Sequence, residues 1–171
     1  CAGVERYTRI STPRQHSLNE QGVALSLCDF VAPDEDYVGA FAITVSQSFV
    51  VQLEQLKSEG KQYEAIMMQS LGDRLVEAAS EWLHERVRKQ LWGYAPDEAL
   101  TLQQMYQAAY RGIRPAVGYP SLPDQKAIFP LAELLDVGQI GITLTENGAM
   151  YPQSSVCGLY IGCEDARYFV I

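Results

Sequence analysis

The stretch RGIRPAVGYPSLPDQKAIFP, residues 111–130, holds four prolines and two glycines. Each proline fixes φ and removes a backbone donor, so this density is incompatible with a helix interior or a central strand. A long loop results, of the kind compact domains keep for binding, and the rest of the chain must be arranged around it. Upstream, the apolar runs VALSLCDFV (23–31) and YVGAFAITV (37–45) flank the turn-forming Pro33–Asp36, which predicts two neighbouring strands. A helix is expected from Ser48 to about Glu59, where Phe49, Leu53 and Leu56 recur at helical spacing and Gly60 closes the pattern.

A longer helix is predicted over about 61–91. On a helical wheel Met67, Leu71, Leu75, Ala78, Ala79, Trp82 and Leu83, extended by Val76 and Val87, form an apolar side expected to face the core. Asp73, Glu77, Glu81, His84 and Arg88 gather opposite them and read as a solvated face. Gly93 and Pro96 end this helix, and Asp97 is a candidate cap for a short one through Leu102 to Tyr110. After the loop, residues 130–136 predict a short helix with proline at its start, and strand-like runs follow at 140–145, 155–162 and 167–171. Residues 1–21 are polar, mixed and interrupted by proline, an irregular entry segment. The pattern is that of one α+β domain with a largely antiparallel sheet.

Length permits this: 171 residues, 47% of them hydrophobic, can bury a core without metal or disulfide support. A net charge of −8 argues against a nucleic-acid partner. Neither a membrane span nor a signal peptide is legible, so a soluble, cytoplasmic protein is expected. The chain starts at Cys1 rather than Met, and is expected to continue a longer polypeptide. Cys1, Cys28, Cys157 and Cys163 form no metal-binding spacing with each other or with His16 and His84. They are expected to be buried free thiols.

The common nucleotide and hydrolase signatures are absent. What remains is the loop, where Arg114 can grip a carboxylate through two parallel hydrogen bonds and Pro115 restricts its backbone. Gly118 has no Cβ to keep a flat ligand from the main chain, and Tyr119 offers an aromatic face to a cation or heterocycle. Two readings follow from the residue types: a pocket for a ligand with a carboxylate and a flat or cationic part, or a structural arginine beside a core tyrosine.

GIRPAVGYPSLPD (112–124), LHERVRKQLWGYAPDE (83–98) and LTENGAMYPQSSVCGLY (144–160) closely resemble the reactivation domain of cobalamin-dependent methionine synthase. The likeness runs from about Leu25 to Ile171. It includes the R-P-A-x-G-Y-P loop at Arg114–Pro120 and the D-R-L-x-E-A helix at Asp73–Ala78. The resemblance implies a C-shaped α+β domain that binds S-adenosylmethionine. Arg114 would hold the methionyl carboxylate, the backbone of Ala116 and Gly118 would border the ligand beside Tyr119, Tyr168 and Phe169 would add main-chain and aromatic contacts, and Glu77 would meet the ammonium end. It further implies reactivation of an oxidised cobalamin carried by a partner domain, with an electron from a flavodoxin-type donor, in methionine formation from homocysteine. No catalytic side chain is implied. Two family features are missing: an aromatic-rich D-W-x-P-F segment, and a histidine after the loop where Gln125 stands. A docking module with an incomplete ligand site is the alternative. An ordinary doubly wound methyltransferase would need a glycine-rich turn that this sequence lacks.

Overall fold

The computed structural model describes residues 8–18 and 22–171. Strands β1 (Gly39–Thr44) and β4 (Ser155–Tyr160) pair antiparallel, from Gly39 opposite Tyr160 to Thr44 opposite Ser155. The proline-rich loop runs along the other edge of β4. Bridges join Ile113 to Ile161 and Ala116 to Gly158, and Leu159 N–H donates to the Pro115 carbonyl at 2.9 Å. Gly158 makes this approach possible, because a Cβ there would run into the Pro115 carbonyl and lie 2.8 Å from Ala116 Cα. A second small antiparallel sheet pairs β2 (Thr143–Leu144) with β3 (Met150–Tyr151).

Alternation along β4 divides the core. Val156 and Tyr160 point one way and pack with Phe41, Val76 and Val87, beneath the long helix. Cys157 and Leu159 point the other way and pack with Leu25, Leu27, Phe30, Ile128 and Leu131. Helix α1 (Gln47–Ser58) starts at Ser46, whose hydroxyl accepts from Phe49 N–H at 3.3 Å. Helix α2 (Gln62–Arg86) continues into one π turn, Val87–Leu91, so the helical stretch spans the predicted 61–91 closely. Helices α3 (Leu102–Tyr106) and α4 (Ile128–Leu135) complete the set.

The α+β class holds, with several local corrections. The apolar run at 23–31 is no strand: Ser26 and Asp29 bond reciprocally to cap a 3-10 turn, Leu27–Phe30, that drops Leu27 and Phe30 into the core. Residues 167–171 form no ladder, and α3 is shorter than expected, starting at the Thr101 cap. Residues 8–18 are irregular as expected; the remainder of the predicted entry segment, 1–7 and 19–21, lies outside the described residues.

The largest correction concerns α2. Met67, Leu71, Leu75 and Trp82 are 56%, 55%, 52% and 58% exposed, whereas Ala65, Gly72, Val76, Ser80, His84, Val87 and Arg88 are buried. The helix lies so close to its neighbours that a Cβ on Gly72 would stand 2.7 Å from the Phe49 ring and 2.8 Å from Ser154 Oγ. Small residues therefore occupy the contact, and hydrophobicity alone misassigns the face. Cys157 is buried as expected, but Cys28 is exposed and Cys163 half-buried.

Candidate functional site

A cleft of about 420 Å³ opens between α2, the proline-rich loop, β4 and the C-terminal segment. Its wall includes Glu77, Arg114, Ala116, Tyr119, Tyr168 and Phe169, six of the seven residues singled out from the sequence. Gly118 is the exception. It takes φ +85° to turn the chain, its N–H bonds the Leu122 carbonyl at 2.9 Å, and its vacant Cβ position faces Gln125 rather than the cleft. It turns the chain immediately before Tyr119.

The C-terminal wall is anchored by Ser121. Its hydroxyl donates to the Phe169 carbonyl at 2.6 Å and accepts from Phe169 N–H at 3.1 Å, a two-way bond buried from solvent. Phe169 packs its ring on Phe30, 6.3 Å between centroids, leaving Tyr168 to project over the cleft. Tyr168 in turn accepts from the Arg114 backbone N–H at 3.0 Å.

Across the cleft, α2 presents two acids one turn apart. The Glu77 carboxylate accepts from the Tyr119 hydroxyl at 2.5 Å; that bond, then burial, raises the Tyr119 phenol to about 12, so it stays a donor. The placement of Glu77 departs from the solvated-face expectation. Glu81 accepts from Arg114 Nη2 at 2.7 Å, with the two side chains only 16% and 27% exposed. Arg114 Nη1 has no hydrogen-bond partner among the described residues, and Arg114 Nε and Glu81 Oε1 are buried without one. Burial opposes the guanidinium charge, but Glu81 outweighs it and holds Arg114 firmly protonated.

His84 and Arg88, also assigned to the solvated face, lie in the floor beneath. Arg88 is fully enclosed, paired with Glu98 at 2.7 Å, and its guanidinium sits 4.3 Å from the Tyr110 ring centre, which fixes one cleft wall. His84 stacks on Tyr160 and meets the edge of Tyr110. Burial first, then Arg88 and Arg114, push its imidazole down to about 2. Sequence reasoning missed Tyr110, Ser121 and Val156 in the cleft and Glu81 behind it. For Glu81 a signal existed, since it follows Glu77 by four residues and so shares its face.

The arrangement can hold a zwitterion with a flat appendage: a guanidinium, an opposing carboxylate, and aromatic walls between. The family model described as "Vitamin B12 dependent methionine synthase, activation domain" matches residues 3–171. A solved structure of the MetH reactivation domain bound to AdoHcy is 40% identical and superposes with a TM-score of 0.86. The match covers 93% of this chain and 50% of the solved one, so the chain spans about half the length of that relative.

Proposed function

The chain belongs to the vitamin B12 dependent methionine synthase activation-domain family, and from that premise we propose that its cleft binds S-adenosylmethionine and positions the ligand's methyl group for delivery to a cobalamin held by a partner domain. One observation carries the reading: Arg114, with an uncommitted Nη1, and Glu77 stand on different elements of a single cleft walled by Tyr119, Tyr168 and Phe169. The AdoHcy bound to the solved relative shares the donor's carboxylate, ammonium and adenine.

In this account Arg114 receives the methionyl carboxylate through Nη1, and Glu77 accepts from the ammonium. Tyr168 and Phe169 give the adenine an apolar, flat surround, while the Ala116 backbone borders the ligand where the loop meets β4. The bound donor supplies a methyl group on a sulfonium. Passing that methyl to a reduced metal moves no proton, so the chain's share of the work is binding, orientation and exclusion of water. A flavodoxin-type protein is the proposed source of the reducing electron. The domain acts as part of a methyltransferase, with no turnover of its own.

Isothermal titration with S-adenosylmethionine tests this. Saturable heat is expected for the parent chain, with at least about 30-fold weaker binding in Arg114→Ala, since a charge-assisted, bidentate-capable contact is lost. No heat in the parent refutes the reading and favours a docking module that keeps the fold without the ligand.

A further inference from the structure

Strand β1 is paired along one edge only. That edge meets β4, whose far side carries the proline-rich loop, and the other edge of β1 has no strand against it among the described residues. The hydrogen bonds fix which groups are left over. On β4, Leu159 N–H donates to Pro115 and the Cys157 carbonyl accepts from Val117, both toward the loop, so Val156, Gly158 and Tyr160 turn their backbone to β1 and meet Ile43, Phe41 and Gly39. Ala40, Ala42 and Thr44 therefore point N–H and C=O away from the sheet, and no backbone group meets them among the described residues. A groove of about 530 Å³ follows residues 39–42, walled by Leu83, Leu91 and Trp92 at the end of the long helix and by Leu135 of α4.

Edges of this kind are ordinarily guarded by lysine, proline or a bulge. The strand GAFAIT has no such residue, and its register with β4 is unbroken. It also carries no charge, on a chain whose net charge of −8 sets most other faces against a copy of itself. We propose that the β1 edge binds the β1 edge of a second copy, antiparallel about a two-fold axis, joining two sheets into one with the strand order β4, β1, β1, β4. The outward groups recur at every second residue, which allows a register centred on Ala42: Ala42 lies opposite its own copy and Ala40 opposite Thr44, each pair exchanging hydrogen bonds. On the face toward α2 the same register sets Phe41 against Ile43 and Gly39 against Val45, and the acids Asp34, Glu35 and Asp36 fall beyond the paired stretch. Leu91 and Trp92, exposed in a single chain, are covered in the shared groove. A foreign strand would have to match this pattern, whereas a second copy matches it by symmetry.

Sedimentation equilibrium across a range of micromolar concentrations is expected to show the parent reaching twice its 19.0 kDa. Amide exchange followed residue by residue on that dimer is expected to be slow at Ala40, Ala42 and Thr44, the amides that face away from β4. Ala42→Pro deletes both bonds of the central pair without touching the ladder to β4, and is expected to weaken association about tenfold or more. Leu91→Glu sets a charge in the groove wall at a side chain that solvent already reaches in the single chain. It is expected to leave a folded monomer in which the three outward amides exchange quickly while those of Phe41 and Ile43 stay slow. Circular dichroism establishes the fold of both variants. A parent that stays monomeric overturns the proposal: with the three amides protected, another segment of the polypeptide covers the edge, and with them exchanging, the edge stays open to water. A dimer that persists in folded Leu91→Glu, or that leaves those amides exchanging quickly, is built on another face and overturns it too. None of these outcomes depends on S-adenosylmethionine, so the β1 interface and the donor site fail independently.

Discussion

Acid is expected to weaken this domain between pH 7 and 5 chiefly through one side chain. His84 is fully buried, pressed between Tyr160 and Tyr110, with Nδ1 lacking a partner and Nε2 3.4 Å from the Tyr94 hydroxyl. Its imidazole is pushed from near 6.5 down to about 2 by burial, with Arg88 and Arg114 adding repulsion. Below pH 6.5 the unfolded chain takes up a proton that the folded chain refuses, so stability is complete above 6.5 and falls as the pH drops. The loss follows RT ln(1 + 10^(6.5 − pH)), about 1.4 kcal/mol at pH 5.5 and about 2 kcal/mol at pH 5. Asp29, Asp36 and Glu59, whose carboxyls are held below their ordinary values by hydrogen bonds, stay ionised in this window and enter only at lower pH. Urea unfolding at pH 7, 6 and 5, on the parent and on His84→Phe, measures the effect. Phenylalanine keeps the ring stack and cannot take a proton, so its curve is expected to vary by less than about 0.5 kcal/mol over this range. Equal pH slopes in the two proteins, or a flat parent, would refute the assignment to His84.

Removing one partner of the enclosed Arg88–Glu98 pair by Glu98→Ala is expected to cost about 3–5 kcal/mol in urea unfolding, because it strands a charge that is 1% exposed. Gly158→Ala forces a methyl into the Pro115 carbonyl and the Phe41 ring, and a loss of about 1–3 kcal/mol is expected, with slower amides at Val117 and Leu159 becoming exchangeable. Thiol labelling followed by peptide mapping is expected to find the exposed Cys28 modified in the native state. Cys157, whose thiol burial pushes up to about 12, should label only after unfolding.

The helices and the loop were legible because proline, glycine and capping residues act locally: Gly60 closes α1, and the prolines at 115, 120 and 123 keep residues 111–124 out of helix and strand, although helix resumes at Ile128, two residues before the expected start at Pro130. Faces and pairings were not, because they depend on what lies opposite. Gly72 faces inward on α2 where Phe49 and Ser154 approach too closely for anything larger, a fact held by α1 and the segment before β4 rather than by α2. The 23–31 run has strand composition, yet the Ser26–Asp29 bonds coil it. At the site, Arg114 and Tyr119 were readable from the loop's chemistry, whereas Glu77, Tyr168 and Phe169 came only with the family resemblance. For Glu81 the sequence shows only that it shares the helix face of Glu77; its pairing with Arg114 was not legible, since an acid on a charged face looks solvated until the arginine that reaches it from another element is in place.

A crystal of this chain grown with S-adenosylmethionine decides whether the cleft is the donor site. The methionyl carboxylate is expected within hydrogen-bond distance of Arg114 Nη1, the ammonium at Glu77, and the adenine against Tyr168 and Phe169. A cleft left empty at saturating ligand, with Arg114 engaged by Glu81 alone, would contradict it.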